Sequence, residues 1–148
     1  MIVPARNYDI SLHQWAIDLI EKPFKWGTTD CGNLVRQALI IMFDCDLFAK
    51  KFARYKDRAG ADRALKRVGG SIRKALENAG FVRVRDSSWH TGDIVIIPGN
   101  ARQNRHENVG VYINRMVLMS HHDKGVHWVP REGLNKRASR LRAGWLNG

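Results

Sequence analysis

Phe24-Lys25-Trp26-Gly27-Thr28-Thr29-Asp30-Cys31 runs directly into Gly32-Asn33-Leu34-Val35-Arg36-Gln37-Ala38-Leu39-Ile40-Ile41-Met42-Phe43, and the reading of this junction decides the fold. Leu34, Val35, Ala38, Leu39 and Met42 recur at spacings of three and four, which marks one apolar face of a helix. The spacing predicts a buried helix over 31–43. Asp30 is suited to cap it, because a short carboxylate can accept from the unpaired amides of the first turn, and the cap sets the thiol of Cys31 in that turn. There the positive end of the helix dipole favours thiolate and lowers a cysteine pKa from its free value of about 8.5. Cys31 therefore reads either as a nucleophile or as a thiol buried in the core, where free cysteines often lie. Cys45 lies just past the predicted helix and is expected to be structural.

Upstream of the junction, Ile10, Leu12, Trp15, Ile17, Leu19 and Ile20 fit a helical face over 8–21, and Pro23 closes the segment. Downstream, residues 46–76 are rich in Lys and Arg, with helical spacing in Leu47-Phe48-Phe52 and again in Ala61-Ala64-Leu65-Val68. Gly69-Gly70 interrupts the stretch, and Ser71 is placed to cap a short helix through Leu76 that ends near Gly80. From Phe81-Val82-Arg83-Val84 onward the pattern is that of strands: 93–97, 109–113, 116–120 and 125–129, the last ending at Pro130. Leu134, Leu141, Trp145 and Leu146 in the closing residues are available to dock on the core. Helices first and strands afterwards indicate an α+β fold, with an antiparallel sheet covered on one face. The expectation is a single domain over 1–148, with a basic helical insertion at about 46–80 and a basic C-terminal tail at about 131–148.

The chain has 148 residues, 44% of them hydrophobic and only 4 of them proline, which fits one compact domain with a real core and leaves no room for a second. Its 25 Lys and Arg against 14 Asp and Glu give a formal charge of +11, enough to attract polyanions or an anionic surface. Nucleic acid, teichoic-type polymer, anionic lipid and an acidic protein are all compatible with that charge. Few aromatic residues interleave with Lys50-Lys51, 63–74 or 131–142 as stacking platforms for bases would require, and no Gly-rich phosphate loop is present. The opening Met-Ile-Val-Pro-Ala-Arg-Asn lacks the basic, apolar and small-residue order of a signal peptide, so a start in the cytoplasm is expected. No apolar run approaches the roughly 18 residues of a membrane span. Two cysteines exclude a disulfide scaffold and show no paired metal spacing.

The order Phe24-x-Trp26-Gly27-x-x-Asp30-Cys31, an apolar helix, Gly92-Asp93-Ile94-Val95 and then Val109-Gly110-Val111-Tyr112-Ile113 resembles the NlpC/P60 family of papain-like cysteine peptidases. The resemblance spans about Trp15 to Val129. It implies a papain-like α+β fold with Cys31 opening the central helix, and a cysteine peptidase or amidase acting on cell-wall peptide. Residues 55–71 with Gly69-Gly70, and the closing Ala143-Gly144-Trp145, look like a phage-associated branch of this superfamily. That likeness implies a tail protein with other virion proteins as partners, located in the virion after assembly in the bacterial cytoplasm.

The family's catalytic His directly precedes the Val-Gly strand, and here that position is Asn108, which cannot act as a general base. Two histidines are candidates to replace it. His106 lies two residues upstream and shares a strand face with Asn108 if the strand begins early. His121 ends the next strand, near the family's third polar residue, where Ser120 is the competing match. A trio of Cys31, His121 and Asn108 would exchange two family positions and keep the chemistry. Trp26, Asp30 and Ser120 are the candidate substrate-binding residues, with a core role for Trp26 as the alternative. Asp93 reads as a turn residue at a strand entrance. His121, His122 and His127 cluster, but their spacing has no matching Cys or carboxylate pattern, so no metal and no cofactor are expected. The alternative to an enzyme is a non-catalytic domain of the same fold, a structural or adaptor part of a virion tail with a basic polyanion-binding face.

Overall fold

The computed structural model describes residues 3–48, 55–99 and 107–144. Four helices precede six strands: α1 Tyr8–Leu19, α2 Cys31–Phe43, α3 Arg58–Arg67, α4 Ile72–Asn78, then β1 Phe81–Val84, β2 Ile94–Ile97, β3 Asn108–Ile113, β4 Met116–His121, β5 Gly125–Pro130 and β6 Ser139–Ala143. α2 has the predicted bounds, and Asp30 caps it by accepting from the Asn33 amide. Asp57 and Ser71 cap α3 and α4 in the same way, each side chain accepting from an amide three residues on. α1 stops at Leu19, short of the expected end, and Glu21 takes a left-handed φ of 72°. The expected Leu47-Phe48-Phe52 helix falls largely on residues outside those described.

All six strands join one antiparallel sheet in the order β1-β6-β2-β3-β4-β5. Alternation along the strands sorts the side chains onto two faces. Ile94, Ile96, Val109, Val111, Ile113, Leu118, Val126, Leu141 and Ala143 face the helices and form the main core with Leu12, Leu34, Leu39, Met42 and Leu76. Val95, Tyr112 and Val117 lie on the other face under Trp89, Leu134 and Ala138. Because the helices all lie on one side, the start of α2 abuts the strand ends of β3 and β4.

Within the basic stretch expected as a tail from about residue 131, Ser139–Ala143 is strand β6, set between β1 and β2 and one strand in from the edge of the sheet. Its arginines explain the difference. Arg142 is 5% exposed and makes a two-pronged ion pair with Asp93 at 2.6 and 2.8 Å, with Asp93 itself 1% exposed. Asp93 also accepts from the His90 amide, so the turn role read from sequence holds and an ion pair is added to it. Trp145 and Leu146 lie outside the described residues. Among those described, no helix is long and apolar enough to cross a membrane.

Candidate active site

The loop that delivers Cys31 is held by Asp30. Its carboxylate accepts from the Gly27 amide at 2.9 Å, from the Asn33 amide and side chain at 3.4 and 2.9 Å, and from the Tyr55 hydroxyl. Gly27 is required here, because its φ of +84° suits glycine and a Cβ would stand 2.3 Å from the Tyr55 carbonyl oxygen. Trp26 packs edge-on against Phe24 and Tyr55 with ring centroids 4.9 and 6.2 Å apart, so it is both a wall of the cleft and a support for the loop.

Opposite this loop the β3–β4 pairing ends at Val111 and Leu118. Asn108 to Gly110 pair only with β2, and Met119 to His121 only with β5. The parted strand ends open a cleft of about 130 Å³ that brings together Cys31, Trp26, Asn108, Ser120, His121 and His122, with Tyr55, Glu107 and the inner faces of α3 and α4 along one side. Ser120 pairs with core-facing Val126 and so turns towards α2. Asn108 pairs with Ile97, which belongs to the far face, and His121 alternates with Ser120. Both therefore leave their strands on the side away from α2.

The thiol environment departs from the helix-dipole expectation. Burial pushes the Cys31 pKa up from its ordinary 9.0, and the charge of Asp30 adds to this. The backbone N–H groups of Val109, Gly32 and Cys31 itself act in the opposite sense without reversing it. The Tyr55 phenol is raised as well, first by burial and then by Asp30 and the bond to it.

No histidine among the described residues hydrogen-bonds the thiol. His121 has a side chain 55% exposed and its Nδ1 accepts from the Asp123 amide at 3.3 Å. His106 lies outside the described residues. His127 is tied by Nδ1 to the Gly125 carbonyl at 2.9 Å. His122, read from sequence only as a loop residue, stacks on Phe24 at 4.2 Å and meets Trp26 edge-on at 5.5 Å, at the mouth of the cleft. Among the described residues no group of three or more His, Cys, Asp or Glu gathers as a metal site. Tyr55 and Glu107 are the cleft residues that sequence reasoning missed. Tyr55 stands 25 residues from the carboxylate it binds, and Glu107 adjoins Asn108, the one local hint to its place.

A capped helix bearing a cysteine against the parted ends of an antiparallel sheet defines the NlpC/P60 class of fold. The structure is similar to a crystal structure of the NlpC/p60 domain of the peptidoglycan hydrolase SagA, with a TM-score of 0.55 and 15% sequence identity, covering 90% of this chain and 97% of that one. That likeness establishes a shared fold. The chain belongs to the family described as "Domain of unknown function (DUF6950)", whose model matches residues 5–138. No curated protein matches the chain.

Proposed function

We propose that this chain is an NlpC/P60-fold domain that holds a cell-wall-type peptide in the Cys31 cleft without cleaving it, as a structural or adaptor part of a phage tail. The observation that carries this reading is a thiol whose pKa is pushed up by burial and Asp30, in a cleft where the residue starting the facing strand is an asparagine, Asn108. Thiol attack on a peptide carbonyl needs a proton acceptor within reach, and Asn offers none. The cleft keeps what binding requires: an aromatic wall in Phe24 and Trp26, and polar groups on the facing strand ends. The phage-tail setting follows the sequence resemblance and is checked by finding the chain in purified tails.

The test is iodoacetamide modification of Cys31 across pH, alongside incubation with purified peptidoglycan. The expected result is slow modification at pH 7 that accelerates only above about pH 9, and no release of new amino termini.

One observation favours a second reading, a cysteine peptidase or amidase. The backbone N–H groups of Val109 and Gly32 act to lower the Cys31 pKa, and donors that favour a thiolate there also suit an oxyanion formed beside it. His121 or His106 would then carry the proton. Release of amino termini that is lost in Cys31→Ser would establish this reading and overturn the first.

A further inference from the structure

Two buried side-chain polar atoms lack a partner among the described residues, Glu107 Oε1 and Ser120 Oγ, and both residues line the Cys31 cleft. Buried polar atoms in folded chains are overwhelmingly paired, so two orphans in one cleft mark bonds that a ligand completes. Glu107 is anchored by one oxygen only. Its Oε2 lies 3.5 Å from Arg73 Nε on α4, and Arg73 is fixed in turn by donating to Ser139 Oγ at 2.7 Å. Oε1 is left to the cleft. Ser120 is 8% exposed and turned to the α2 side of β4.

The charge of the lining narrows the ligand. In a chain of formal charge +11, the carboxylates of Asp30, Asp62 and Glu107 in the cleft still outnumber the guanidinium groups of Arg58 in its lining and of Arg73, which reaches Glu107 from α4. Asp30 is engaged by the loop and Tyr55, and Asp62 lies 3.9 Å from Arg58, so Glu107 is the carboxylate with an oxygen left over. A locally acidic cleft in a basic protein concentrates cations. A primary ammonium has three donors and no acceptor, which matches a carboxylate oxygen and a serine hydroxyl acting as acceptors.

We infer that Glu107 and Ser120 form a subsite for the primary ammonium group of a peptide ligand, an inference that rests on the cleft's being a peptide site. It names the ligand class by charge: a peptide with a free amine, as a diamino acid side chain or an amino terminus supplies.

The probes are alanyl-γ-glutamyl-lysine and the same peptide acetylated at both amines, titrated calorimetrically against the full chain. The unmodified protein is expected to bind the free-amine peptide about tenfold more tightly. Glu107→Gln, which keeps the shape and an acceptor for Arg73, is expected to abolish that preference and leave the acetylated peptide's affinity unchanged. Ser120→Ala is expected to weaken the free-amine peptide by about threefold. Equal binding of the two peptides by the unmodified protein, lost on alkylation of Cys31, overturns the ammonium subsite and leaves the peptide cleft standing. Binding of neither peptide overturns the cleft reading and the subsite with it. The acetylation comparison needs no variant, so it decides the matter even if Glu107→Gln does not fold.

Discussion

Asp30 and Asp93 are both nearly sealed from solvent, at 2% and 1% exposure, and both stand at the entrance to an element, α2 for one and β2 for the other. They are neutralised in opposite ways. Asp93 meets the guanidinium of Arg142 face to face, with Arg140 3.8 Å away, and its charge is cancelled where it sits. Asp30 is satisfied by hydrogen-bond donors that carry no charge, the amides of Gly27 and Asn33, the Asn33 side chain and the Tyr55 hydroxyl. Its negative field is therefore felt by its neighbours, and Cys31 and Tyr55 are both raised in pKa partly by it. One carboxylate locks a sheet, and the other adds to the burial that raises a thiol's pKa.

Removing the locked carboxylate is the largest test of that contrast. Asp93→Ala leaves Arg142 buried without its partner and is expected to cost about 3–5 kcal/mol in denaturant unfolding. Adding Arg142→Met to Asp93→Ala is expected to recover much of the loss, because the apolar side chain leaves no buried charge behind. A double variant as unstable as the single would show that the pair works through packing rather than charge.

Tyr55→Phe comes next. It deletes the hydroxyl that donates to Asp30, and a hydrogen bond to a charged acceptor is expected to be worth about 1.5–3 kcal/mol. The same change alters the alkaline limb of stability. Folding holds the protons of Cys31 and Tyr55 more tightly than the unfolded chain does, so stability is full below their ordinary values of 9.0 and 10.0 and falls as pH rises past them. Thermal unfolding at pH 8 and pH 10.5 should show this fall, and Tyr55→Phe should reduce the part above pH 10, leaving the share of Tyr8, whose phenol is raised by burial too. An unchanged profile in the variant would place the alkaline sensitivity elsewhere.

The contrast also explains what could be read before the structure. α2 and its cap were legible because they are local: periodic apolar residues, a carboxylate one position before them, a terminal amide three positions on. β6 was not, because Ser139-Arg140-Leu141-Arg142 alternates arginine with one serine and one leucine, a pattern that suits an exposed tail until Asp93, 49 residues away, draws Arg142 inward. In the cleft, Cys31, Trp26, Asn108, Ser120 and His121 were all named from sequence and all lie along its lining, with Asn108 and His121 on the far side of their strands. The state of the thiol was not legible. Position at a helix start speaks for thiolate, whereas in the packed structure burial and Asp30 push the pKa up against the backbone N–H groups that pull it down.

The smallest expected effect bears most directly on that balance. Asp30→Asn keeps an oxygen for the Gly27 amide and the Asn33 side chain and presents an N–H to the Tyr55 oxygen, so the loop keeps most of its bonds while the charge disappears. Burial, the larger cause of the raised thiol pKa, remains. The pKa should therefore fall part of the way towards its ordinary value, and alkylation of Cys31 at pH 8 should quicken by about two- to fivefold. The direction matters more than the size. If Asp30 activated the thiol, its neutralisation would slow the reaction. If Asp30 restrains the thiol, the reaction speeds up, and the carboxylate that caps the helix adds to the burial that holds the proton on Cys31.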